Sequence, residues 1–248
     1  MRDIEHILNF RRDLSPFLTH LTRASKSESA KDTLIKILDS GELVAGGDPV
    51  SDARWGLEFA KLKNLDTDEQ KRFFNAVCFT ETPLDEIHCL LEIGNRDIDL
   101  EPYGLVYVRE KLQAKCVSPV VYIQNCCGDK NPLFAALCSM IKDYPDEAAI
   151  FIPLVSVFGD KLKPAGTHHT PAGEVDFRWE REWRQVFERC PVAFDENNVF
   201  VGICPDEEID YFETKYNYPF VDPRRNMKWY ASKLIEARQK HDLKCSVV

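Results

Sequence analysis

Apolar and polar residues alternate with two different periods along this chain, and the switches between them outline its elements. Leu34, Ile35, Ile37 and Leu38 recur three and four apart and predict a helix through "AKDTLIKILDS", with Gly41 as its C′ stop. The same period predicts helices over 3–13, around "RWGLEFAKLKNL" and "TDEQKRFFNAV", over "LDEIHCLLEIG" and "NPLFAALCSMIKDY", and over "PDEEIDYFETKY" and "MKWYASKLIEARQK" near the end. Period-two alternation or β-branched runs predict strands at "FLTHLT" (17–22), "AVCFTETP" (76–83), "YGLVYVREKL", "VSPVVYIQN", "AAIFIPLVSVFG", "DFRWEREWRQV" (176–186) and "NNVFVGICP". A Pro-, Gly- and Thr-rich stretch over 160–175 reads as a loop. Strands and helices are interspersed without a βαβ repeat, so the expectation is one α+β domain over 1–248. The N-terminal helix 3–13 and the C-terminal helices within 206–240 are expected to pack on its sheet.

Composition bounds the partners. The chain has 248 residues, 44% hydrophobic and 29% charged, with a formal net charge of −9. That length can bury a sizeable core. The acidic balance argues against extended nucleic-acid binding, which needs a basic footprint. The nine cysteines form no CxxC pair, and most lie in apolar runs, which points to reduced thiols and a cytoplasmic protein. No apolar run reaches the ~20 residues that a membrane helix needs.

No GxGxxG, Walker A or GxSxG motif occurs. His168-His169 lacks the spacing of a helical metal pair, and no metal site is expected. Polar residues inside strand-like segments remain: Thr19 and His20 in "LTHLT", Thr80 and Glu81 in "VCFTETP", and Glu180, Glu182 and Arg184 in "WEREWR". On a strand, period two puts those three on one face and Trp179, Arg181 and Trp183 on the other. Two readings stand side by side: a catalytic carboxylate pair, or a solvated strand face laced by ion pairs.

The order of these segments carries a resemblance. Strand-borne His, strand-borne Thr and a strand-borne Glu pair resemble the pattern of ADP-ribosyltransferase-like folds. "PFLTHLTR…LIKILDSGELVA", "VCFTETPLDEI", "YGLVYVREKL…VSPVVYI", "DFRWEREWR" and "NMKWYASKLI" are similar to the bacterial abortive phage resistance family AbiGi, over about residues 15–240. The wider group implies a mixed, split β-sheet with surrounding helices and NAD as substrate. His20 would contact the nicotinamide ribose, with Thr19 and Thr80 in supporting positions. Tyr103 or Tyr107 would stack on nicotinamide, and Arg54 and Trp55 would serve phosphate and ring. Glu182, with Glu180 two before it, would stabilise the oxocarbenium-like sugar. The family's antitoxin label implies instead a non-catalytic protein that neutralises a toxin or other protein partner encoded nearby.

Overall fold

The computed structural model describes residues 14–25, 27–45, 66–93, 100–124, 132–158 and 178–243. The predicted helices 3–13 and 54–65, the loop 160–175, Arg54, Trp55 and the histidine pair lie outside the described residues. In chain order the elements are β1 Phe17–Leu21, α1 Ala30–Ser40, β2 Glu42–Leu43, α2 Thr67–Phe74, β3 Ala76–Thr80, α3 Ile87–Leu91, β4 Gly104–Val108 and α4 Arg109–Gln113. There follow β5 Ser118–Pro119, β6 Val121–Gln124, α5 Pro132–Asp143, α6 Pro145–Phe151, β7 Val155–Phe158, β8 Glu182–Val186 and β9 Val192–Ala193. The chain then forms β10 Val199–Ile203, α7 Ile209–Lys215, β11 Phe220–Val221 and α8 Ala231–Lys240. The fold is mixed α+β, with parallel and antiparallel strand pairs both present.

Two compact units divide the chain. One takes the residues up to Glu42, Phe79–Lys115 and Ala193 onward; the other takes Leu43–Cys78 and Cys116–Val192. In the first unit β4 is flanked by β1 and β10, both antiparallel to it, and β11 adds to β10 in parallel. Both β4 and β10 are buried along their whole length, as "GLVYV" and "VFVGI" require of central strands. Phe17 stacks on Phe200 at 4.1 Å, and Phe212 stacks on Phe220 at 4.9 Å. Each such ring, fully buried, contributes about 1.5–3 kcal/mol.

Helix α1 obeys its local signals. The Ser29 hydroxyl accepts the Asp32 N–H at 3.1 Å, and Gly41, at φ 68°, donates its N–H to the Ile37 carbonyl at 2.9 Å. At Gly104 the reason for glycine is proximity: a Cβ there would stand 2.3 Å from the His20 carbonyl oxygen.

In the second unit α2 opens on a capping box between Asp66 and Glu69. Phe73 and Phe74 join Leu137, Ile141, Ala148, Ala149, Ile152 and Val155 in one core. Arg72 of α2 ties this layer together, pairing with Glu188 at 2.6 Å and Asp146 at 2.5 Å.

Two strand expectations are corrected here. "AAIFIPLVSVFG" is not a strand throughout. Pro145 at the first helical turn and the Ala148–Ala149 pair favour α6, a 3-10 turn follows at Ile152–Leu154, and only "VSVF" is extended as β7, parallel to β6. "YGLVYVREKL" is strand only to Val108, because "REKLQ" is strongly helix-forming and becomes α4.

Candidate functional site

In the first unit, β1 is the strand of His20, and the register of its neighbours assigns each candidate to a face. Leu18 lies opposite Tyr107, and His20 opposite Leu105, while Thr19 lies opposite Val106 on one side and Thr80 on the other. Cross-strand partners share a face. His20 and Tyr107 therefore face one way, and Thr19 and Thr80 face the other. Ring contacts agree: the His20 ring centre lies 5.8 Å from that of Phe79, which makes a T-shaped contact with Tyr107 at 5.9 Å between ring centres. His20 is half-buried, whereas Thr19, Thr80 and Tyr107 are buried.

Tyr107 is closed in by Phe79 and Phe194, and burial pushes its phenol well above the ordinary range. It is a core ring with no open face for a ligand. Its hydroxyl has no hydrogen-bond partner among the described residues. The Thr80 hydroxyl accepts the Thr82 N–H at 3.1 Å and meets the Thr82 hydroxyl at 2.7 Å, so it shapes the turn after β3. Glu81 is also buried and pairs with the buried Arg109, which donates to the Ser15 carbonyl at 2.8 Å. Tyr103 packs on Phe212 at 6.5 Å; burial, and then Glu208, raises its phenol to about 12.

In the second unit the expected strand 176–186 is shorter than its alternation suggests. Arg178–Glu180 form a 3-10 turn, Arg181 takes φ 47°, and β8 begins at Glu182. A left-handed residue between the two glutamates redirects the chain. Glu180 is therefore not one strand step from Glu182, and the shared-face pair is corrected to a turn residue and a strand residue. Trp183 is buried in the core, but Trp179 is 42% exposed.

The Glu182–Arg184 pair keeps the strand relation. Arg184 donates from Nε to Glu182 Oε1 at 2.9 Å and from Nη2 to Oε2 at 2.7 Å. Its Nη1 donates to the carbonyls of Pro153 at 2.8 Å and Val155 at 3.2 Å. Arg184 is 2% exposed, so the solvated-face reading of this strand does not hold. Instead a buried guanidinium grips both oxygens of a carboxylate that keeps 11% exposure.

Two further groups, missed in the sequence, complete this cluster. The Glu182 N–H donates to the Tyr122 hydroxyl at 2.9 Å. Burial raises the Tyr122 phenol to about 12, and the Glu182 and Glu180 charges add to the rise. Burial, then Glu182, likewise pushes the Cys78 thiol well above its usual range. Both stay protonated at neutral pH beside an oriented carboxylate. The period-two step from Glu182 to Arg184 was visible in the sequence. Tyr122 and Cys78 lie in other strands and left no local signal.

Comparison of the chain with protein-family models, with curated proteins and with solved structures finds no match. Among the described residues, no helix is long and apolar enough to cross a membrane.

Proposed function

We propose that this chain is an ADP-ribosyltransferase-like protein of phage defence that uses NAD to modify a target, with Glu182 as its central carboxylate. The observation that carries this reading lies within the second unit: Arg184 donates to both oxygens of the Glu182 carboxylate and holds it in one orientation at the start of β8.

The donor chemistry fits a ribose in part. In the second unit Glu182 keeps some exposure and offers a carboxylate, whereas in the first unit Thr19 and Tyr107 are closed into the core and offer nothing to a ligand. A carboxylate gripped at both oxygens cannot swing, so its charge is fixed where positive charge on a sugar would develop. NAD would supply a ribosyl group that leaves nicotinamide behind.

The test is nicotinamide release from NAD, and transfer of labelled ADP-ribose to lysate, by the purified chain. Glu182→Gln and Glu180→Gln should each lower turnover at least about tenfold, the scale of lost electrostatic stabilisation. Thermal unfolding of both variants separates lost chemistry from lost folding. Wild-type chain that neither releases nicotinamide nor labels any component sinks the reading.

A second reading, a non-catalytic antitoxin-type protein that binds a toxin, has its own support in the first unit. Trp229, 75% exposed, carries Arg225 over its ring at 5.4 Å, and large aromatics of this kind are enriched at protein interfaces. Here the neighbouring gene should be harmful alone and harmless when co-expressed. Trp229→Ala should restore the harm.

A further inference from the structure

The segment that follows β3 gathers three metal-binding groups on one short stretch. A 3-10 turn at Leu84–Glu86 runs directly into α3. Leu84, Ile87 and Leu90 are buried and anchor the segment from beneath. Glu86 and Cys89 are exposed and His88 is half-buried. The Cys89 thiol lies 3.6 Å from Glu86 Oε2 and 3.5 Å from His88 Nε2. One donor atom from each of the three lies within 4.8 Å of the others.

We propose that Glu86, His88 and Cys89 bind a borderline-soft divalent cation of the Zn2+ class. The spacing is the first argument. With metal–sulfur bonds of about 2.3 Å and metal–nitrogen or –oxygen bonds of about 2.0–2.2 Å, neighbouring corners of a tetrahedron stand roughly 3.5 Å apart. The thiol already holds that separation from both other donors. Donor chemistry is the second argument. A thiolate, an imidazole and a carboxylate suit Zn2+ or Co2+, whereas Mg2+ and Ca2+ take oxygen donors. Position is the third. Three protein donors at the surface leave the fourth corner to water, which makes the ion exchangeable rather than a sealed structural centre. On binding, the Cys89 thiol gives up its proton to solvent and the sulfur takes the metal. Bridging the turn and the first residues of α3, the ion holds this segment in its folded form. The sequence signature is the run "EIHC", which carries no CxxC or HxxxH spacing.

Co2+ titrated into chelator-stripped full-length chain tests this. One equivalent should bind with a thiolate-to-cobalt charge-transfer band and the intense visible bands of tetrahedral cobalt, and Zn2+ should displace it. Cys89→Ser should remove the charge-transfer band. His88→Ala and Glu86→Gln should each weaken binding about tenfold or more, because loss of even a group that only orients a ligand costs about 10–100-fold in affinity. Cys116→Ser, at another exposed thiol, should leave the spectrum unchanged. Saturating Zn2+ should raise the melting temperature of wild type and not of Cys89→Ser. These positions are exposed or half-buried, so circular dichroism should show all four variants folded. Absence of a charge-transfer band with stoichiometric Co2+, or a band that persists in Cys89→Ser, overturns the proposal.

Discussion

At the scale of single residues, the Glu182–Arg184 fork is a buried ion pair with much to lose. Each charge has been taken out of water and is repaid by the other and by two backbone carbonyls. Removing one partner strands the survivor. Arg184→Met should cost about 3–5 kcal/mol in chemical denaturation, moderated where Glu182 can turn its exposed edge to water. Arg184→Lys should not restore the loss, because a single ammonium cannot satisfy both carboxylate oxygens and both carbonyls in one plane. Tyr122→Phe removes the acceptor of the Glu182 N–H. It should lower stability by about 1–3 kcal/mol, the cost of an orphaned buried donor. A Tyr122→Phe chain as stable as wild type would mean that water replaces the phenol there. Half of this arrangement was legible beforehand, because Glu182 and Arg184 are two apart on one strand. What was not legible is that the face is buried: alternating charges look the same on a wet surface and around a dry ion pair.

At the scale of elements, local chemistry was readable and crossings were not. Gly41 ends α1 through its own φ, so its role could be assigned from the helix before it. Gly104 is glycine because β1 passes so close that a methyl would strike the His20 carbonyl. That contact joins residues far apart in sequence, and no window of sequence contains it. The same divide explains the misread strands. A positive φ at Arg181 interrupts an alternation that is otherwise well formed, and Pro145 with two alanines turns an apolar run into a helix. The two glycines separate the mechanisms experimentally. At Gly41 a Cβ would meet only the Phe194 carbonyl at an ordinary 3.5 Å, so the cost of Gly41→Ala is the conformational one, about 1 kcal/mol. Gly104→Ala forces backbone apart and should cost about 1–3 kcal/mol. It should also displace His20, visible as a shifted imidazole resonance, whereas Gly41→Ala should leave that resonance in place. Equal costs at the two sites would remove close strand approach as the reason for Gly104.

At the scale of the whole molecule, two pH effects oppose each other. The formal net charge of −9 shrinks as pH falls, which eases self-repulsion and favours the compact state. His241 works the other way. Burial lowers its pKa below the ordinary value, the Val199 carbonyl at 2.9 Å partly offsets this, and Lys240 and Lys111 lower it further. A base with a depressed folded pKa binds fewer protons folded than unfolded, so stability rises with pH across the interval between the two values. Its contribution is complete above the unfolded pKa of about 6.5 and is lost as pH falls through the folded value. Because the net-charge term acts on wild type and variant alike, the difference between them isolates the histidine. The gap in melting temperature between wild type and His241→Gln should be constant above pH ~7 and should narrow or change sign as pH falls below ~6.5. A gap independent of pH over that interval would mean that His241 titrates folded as it does unfolded.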